Sequence, residues 1–171
     1  MQLHFSNDSS KELVFENVTE YLKQKNLKIH KQDSSRPWGG FFVIEEAEAE
    51  KFIALYFPQL TKAELNISGK LSPKILVVAP NKRLSWQYHH RRAEIWKLIG
   101  GVAGVVTSDT DEEKETKDLQ IGDIIQLKQG ERHRLLGTKG WGIIAEIWRH
   151  TDAANPSDED DIVRVQDDFG R

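Results

Sequence analysis

The chain has 171 residues, the size of one ordinary domain, with 38% hydrophobic and 30% charged residues, a soluble mixture that is neither disordered nor membrane-like. Its 24 basic and 27 acidic residues leave a net charge of -3, so there is no overall basic field of the kind that drives nucleic-acid binding. With no cysteine, disulfide frameworks, thiolate zinc sites and cysteine nucleophiles are all excluded, and any metal must be held by His, Asp, Glu, Asn or Gln. The amino terminus, MQLHFSNDSS, lacks a basic segment followed by an apolar run, which predicts no secretory signal and a cytoplasmic protein. No apolar stretch approaches the roughly 18 residues of a membrane span.

In chain order, Ser9 and Glu12 have the spacing of a capping box, and Leu13, Val14, Val18, Tyr21 and Leu22 recur at helical spacing, predicting an amphipathic helix over about residues 10 to 25 that packs on a sheet. From Arg36 onward, short runs of Val, Ile, Phe and Trp are broken by Gly, Pro and charge clusters. This is the pattern of an all-β sandwich or barrel. The predicted strands are Gly40 to Glu45, Phe52 to Phe57, Ile75 to Ala79, Leu84 to His89, Glu94 to Ile99, Ala103 to Thr107, Asp123 to Lys128, His133 to Leu136 and Trp141 to Trp148. Nine strands suggest a jelly roll. The stretch Pro58 to Pro73 supports no assignment, and the charge run Asp109 to Asp118, DTDEEKETKD, reads as a solvated hairpin loop. Trp86, Trp96, Trp141 and Trp148 read as core or interface rings rather than sugar platforms, and Asp160 and Asp161 as surface or pairing carboxylates.

The densest group of possible metal ligands is Gln87, His89, His90 and Glu94. Alternation along Leu84 to His89 puts Ser85, Gln87 and His89 on one face, and a hairpin bend brings Glu94 back over that face. Downstream, Gly130 stands three residues before His133 at the mouth of a strand, and that histidine would complete a four-ligand set.

These residues carry a resemblance. NKRLSWQYHHRRAEIWKLIGG is similar to the first cupin motif and GDIIQLKQGERH to the second. More narrowly, RPWG, RLSWQYHHRRAEIW and the tail EDDIVRVQDDFGR resemble the cupin domain of type II phosphomannose isomerases. The resemblance implies a double-stranded β-helix (cupin jelly roll) over residues 34–171, preceded by a helical arm at 1–33. It implies one divalent ion on Gln87, His89, Glu94 and His133, with zinc ahead of manganese, iron or cobalt. It also implies metal-dependent aldose-ketose isomerisation of a sugar phosphate, mannose 6-phosphate-like, through a cis-enediol(ate). Arg92 is then the first choice for phosphate binding or enediolate stabilisation, with His90 and Glu146 as candidate proton-transfer groups. Arg36, Arg171 and Lys82 are the candidate substrate-binding cations. Asn81, Arg91, Ile95, Lys128 and Gly137 depart from the family pattern, with Arg91 and Ile95 expected to alter charge and polarity beside the site. The alternative is a non-catalytic cupin that binds or senses a sugar phosphate or sugar nucleotide. A small-molecule sugar phosphate is the expected partner, with no nucleic acid and no membrane, and a jelly roll of this size is expected to pair as a homodimer.

Overall fold

A computed structural model describes residues 3–65 and 69–171, so residues 66–68 of the unassigned Pro58 to Pro73 stretch lie outside the described residues. The chain begins with helix α1 (Lys11–Gln24), then strands β1 (Ile29–Asp33) and β2 (Gly39–Ile44), helices α2 (Ala49–Tyr56) and α3 (Lys62–Leu65), and strand β3 (Lys74–Val78). Eight strands follow: β4 (Trp86–Tyr88), β5 (Arg92–Gly101), β6 (Ala103–Ser108), β7 (Lys117–Leu119), β8 (Ile124–Leu127), β9 (Arg132–Leu136), β10 (Gly142–His150) and β11 (Val163–Gln166). They form two antiparallel sheets, β1-β2-β3-β10-β5-β8 and β11-β4-β9-β6-β7, the jelly-roll architecture expected. No described helix is long and apolar enough to cross a membrane.

Helix α1 forms where the periodicity placed it, but its cap is one residue later than expected. Ser10 accepts from the Leu13 amide at 3.2 Å, whereas the Ser9 hydroxyl meets that of Ser6. Val14, Phe15, Val18 and Leu22 form the buried stripe, and Leu13 is exposed. Phe15 stacks on Phe42 with ring centroids 5.2 Å apart. That approach requires Gly40, since a Cβ there would stand 2.7 Å from the Phe15 ring and 2.1 Å from the Asp33 carbonyl oxygen.

The expected strand at Phe52 to Phe57 is instead most of α2. A short apolar run has no period that separates strand from helix, and here Phe52, Ile53 and Tyr56 share the buried side of a helix. Three strands had no sequence signal: β1 (IHKQD), β7 (KDL) and β11 (VRVQ). All three are sheet edges, where polar side chains are favoured because they discourage further strand pairing. The Asp109 to Asp118 run forms the connection between β6 and β7, as expected.

The core has two layers. α1 and α2 pack on the outer face of the larger sheet through Phe42, Ile75, Val77, Ile143 and Ile147. Between the sheets lie Leu76, Val78, Trp96, Leu98, Leu135 and Ile144. Strand β3 is therefore buried on both faces, and one of its inward positions is Lys74, which precedes the apolar run.

Candidate metal centre

Three strands converge on one cluster. On β5, alternation turns Arg92, Glu94, Trp96 and Leu98 between the sheets. On the opposite sheet Gln87 of β4 lies directly across from His133 of β9, and His89 follows β4. Gly130, at φ +76°, makes the turn into β9, a left-handed conformation suited to glycine. One ligand atom from each of His89, Glu94 and His133 lies within 4.8 Å of the others, and all three residues are buried. His89 Nε2 is 3.1 Å from Glu94 Oε1, and His133 Nε2 is 3.4 Å from Oε2.

The outer nitrogens fix the tautomers. His89 Nδ1 donates to the Asp161 carbonyl at 2.6 Å and His133 Nδ1 to the Glu131 carbonyl at 2.9 Å. A carbonyl only accepts, so both Nε2 atoms keep a lone pair for the cluster. His133 Nε2 is buried with no hydrogen-bond partner. Burial holds His89 below the usual imidazole range, against the opposing pull of Glu94. Burial also pushes Glu94 up, but His89 and Arg92 beside it outweigh that, leaving Glu94 well below the usual carboxylate range. An imidazole held below its usual range, an ionised carboxylate and a buried ring nitrogen without a hydrogen-bond partner are what a divalent cation requires of its donors. The cluster could hold one. Gln87 is half-buried beside it, its side-chain oxygen accepting from Ser85.

A cavity of about 540 Å³ opens onto the cluster, with Gln87, Arg92 and Glu94 on its wall. Arg92 is buried and fully engaged. It reaches Glu94 Oε1 at 2.8 Å, Ser157 Oγ at 3.0 Å, the Asp158 carbonyl at 2.8 Å and His89 Nε2 at 3.2 Å. Its guanidinium lies 3.7 Å from the centroid of Trp148, whose ring also faces the Lys74 ammonium at 4.2 Å. Glu146, directly across from Lys74 on one side and Trp96 on the other, accepts from Trp148 Nε1 at 2.7 Å. Burial, reinforced by the charge of Glu94, raises Glu146 to about 7 against the opposing influence of Lys74 and Arg92.

Of the remaining sequence candidates, Arg36 and Arg171 lie on the cavity wall, each beside an acidic neighbour: Arg36 Nε is 2.9 Å from Asp33 and Arg171 Nε 2.9 Å from Asp167. Two candidates are not brought to the site. His90 is exposed, its ring set edge-on to Tyr88 while its amide donates to Asp161 and its carbonyl accepts from Gln129. Lys82 sits exposed on the loop before β4 and off the cavity wall. Two departures from the family pattern also point elsewhere than expected. Ile95 packs in the helix-facing layer, and the Arg91 side chain reaches Asn155, the Pro156 carbonyl and Asp158. Asn81 has φ +56°, which asparagine tolerates better than most residues.

Sequence reasoning missed two participants. Asp161 is buried and is the pairing rather than the surface carboxylate of the two readings given for it, with Arg91 Nε 3.9 Å from its Oδ2. Its carboxylate takes the His90 and Arg91 amides and the Ser157 hydroxyl while its carbonyl orients His89. Lys74 is a buried lysine paired with Glu159, and its only signal was a charge at the head of the run KILVV.

Comparison with known proteins follows the same lines. The family model described as Mannose-6-phosphate isomerase C-terminal matches residues 48–167. The alginate biosynthesis protein AlgA of Pseudomonas aeruginosa is 28% identical over 128 residues, 73% of this chain and 24% of its own length. The xanthan biosynthesis protein XanB of Xanthomonas campestris is 30% identical over 125 residues, 73% of this chain and 25% of its own length. The chain thus spans about a quarter of the curated relatives it matches. Among solved structures, the capsular polysaccharide assembling protein CapF of Staphylococcus aureus superposes with a TM-score of 0.52 at 10% identity, over 78% of this chain and 33% of that one. At that identity the likeness concerns the fold alone.

Proposed function

The chain belongs to the mannose-6-phosphate isomerase C-terminal family, and from that premise we propose that it interconverts an aldose phosphate and its ketose isomer with the help of a divalent ion, zinc first. The names of its relatives, biosynthesis proteins for alginate and xanthan, support a sugar-phosphate substrate. One observation carries the catalytic reading. Glu146 faces the same cavity as Glu94 of the His89, Glu94 and His133 cluster, and burial raises its carboxyl to about 7.

His89, Glu94 and His133 would hold the ion, with Gln87 as the fourth donor. When bound, such an ion polarises the oxygens on the two carbons that exchange oxidation state. Glu146 then has the reach and acidity to take the proton from one carbon and return it to the other, because a base poised near neutrality can do both. Its Trp148 hydrogen bond keeps one carboxylate oxygen fixed and leaves the other to work. Arg92 places positive charge beside the developing cis-enediolate, while Trp38, Trp96 and Trp148 line the cavity and exclude water.

A coupled assay tests this with mannose 6-phosphate, fructose 6-phosphate and a heptose phosphate, each with zinc, manganese, iron or cobalt. Turnover is expected with at least one pair, to vanish on chelation and in Glu94→Gln. A second reading, a sugar-phosphate-binding module without turnover, is favoured by the engagement of Arg92 with Glu94 and His89. Tight binding with every metal but no turnover would select it.

A further inference from the structure

The inner face of each sheet carries a row of residues that leads away from the metal cluster to an edge strand. On the smaller sheet the row is Thr107, His133, Gln87 and Arg164, directly paired across β6, β9, β4 and β11. On the larger sheet it is Trp96, Glu146, Lys74, Val43 and Lys31, across β5, β10, β3, β2 and β1. Each row ends in a cation on an outermost strand. Lys31 and Arg164 are both exposed and both line the same cavity.

These two differ from the other cations of the wall. Arg36 pairs with Asp33, Lys74 with Glu159, Arg92 with Glu94 and Arg171 with Asp167. Among the described residues, neither the Lys31 ammonium nor the Arg164 guanidinium has an ion-pair or hydrogen-bond partner. Of the wall carboxylates, Glu94 and Glu159 are paired, Glu146 is buried and accepts from Trp148, and, among the described residues, Asp160 at the rim has no basic partner. The mouth therefore has a surplus of uncommitted positive charge, from two sheets, beside an interior whose charges are already matched.

We infer that Lys31 and Arg164 form a two-sided clamp for the phosphoryl group of the ligand, holding it at the mouth while its carbonyl end reaches the metal cluster. The inference rests on the sugar-phosphate reading of the site. Arg164 stands two strand spacings, about 10 Å, from His133, a separation suited to an extended six-carbon phosphate ester. Arginine supplies a planar fork and lysine a mobile point charge, a combination suited to a dianion. Lys31 lies outside residues 48–167 matched by the family model. Arg36 and Arg171, neutralised by their own carboxylates, serve to shape the mouth.

The test is calorimetric titration of zinc-loaded protein with mannose 6-phosphate, GDP-mannose, inorganic phosphate and unphosphorylated mannose. Lys31→Gln and Arg164→Gln are each expected to weaken mannose 6-phosphate binding about tenfold, and the double variant more, as loss of charge-assisted hydrogen bonds requires. Zinc content and Tm should stay at wild-type values, and Lys82→Gln, off the cavity wall, should bind as the wild type does. Loss confined to GDP-mannose would identify the clamp's ligand as a sugar nucleotide and overturn the monoester assignment. Wild-type affinity in the double variant would overturn the clamp. The two proposals fail separately: binding that needs Lys31 and Arg164 without any turnover removes only the isomerase, whereas turnover with an unchanged KM in the double variant removes only the clamp.

Discussion

At the scale of single residues, the candidate metal centre depends on atoms whose alternatives have been taken away. Both Nδ1 atoms are committed to carbonyls, so His133→Ala removes a lone pair that nothing else can replace. We expect zinc, measured by elemental analysis after dialysis, to fall from near one equivalent to near zero in His133→Ala and Glu94→Gln. Glu146→Gln should retain zinc but lose at least about 100-fold in kcat, the scale of a positioned acid-base group. The same carboxyl gives a stability prediction for the metal-free protein. Unfolded, it ionises near the usual value of about 4.3; folded, it holds its proton to about 7. Between those values the folded state binds more protons than the unfolded one, so this group's contribution falls as pH rises. Tm of metal-free Glu146→Gln relative to wild type should therefore rise from pH 4 to pH 8, and a flat difference would contradict the buried-acid assignment. The sequence made Gln87, His89, Glu94 and His133 visible because motif spacing follows strand alternation. Lys74 and Asp161 were invisible because their roles come from partners 85 and 72 residues away in the chain, at Glu159 and His89.

At the scale of elements, apolar runs identified the inner strands and the edge strand β8 but missed the three polar edges. β1, β7 and β11 are polar because an edge strand is selected against pairing, and polarity is what a pattern search discards. α2 was misread for the opposite reason, an apolar run too short to have a period. The close approach of α1 to β2 gives a sharp test. Gly40→Ala should cost about 1–3 kcal/mol, the usual penalty of overpacking, read as a lower midpoint in denaturant, because the added methyl meets the Asp33 carbonyl and the Phe15 ring. The tail segment around β11 acts on the site without supplying a ligand. Asp161→Ala removes the carboxylate that gathers Ser157 and the His90 and Arg91 amides, and should weaken zinc binding about 10- to 100-fold, as loss of an outer-sphere partner does, while leaving one site per chain.

For the whole molecule, residues before the family-matched region are structural members. β1 and β2 complete the larger sheet, and α1 covers Ile75, Val77 and Ile143 on its outer face. A fragment of residues 48–171 would expose that face and the open edge of β3. It should unfold without a cooperative transition, whereas the full chain should show one by circular dichroism. The order of synthesis is also constrained. His89 leaves the ribosome long before the Asp161 carbonyl that aims it, 72 residues later, and His133 emerges in between. A nascent chain displaying both histidines and Glu94 therefore still has an unaimed imidazole. The aimed arrangement of the three side chains exists only once the barrel has closed over its own carboxyl-terminal segment.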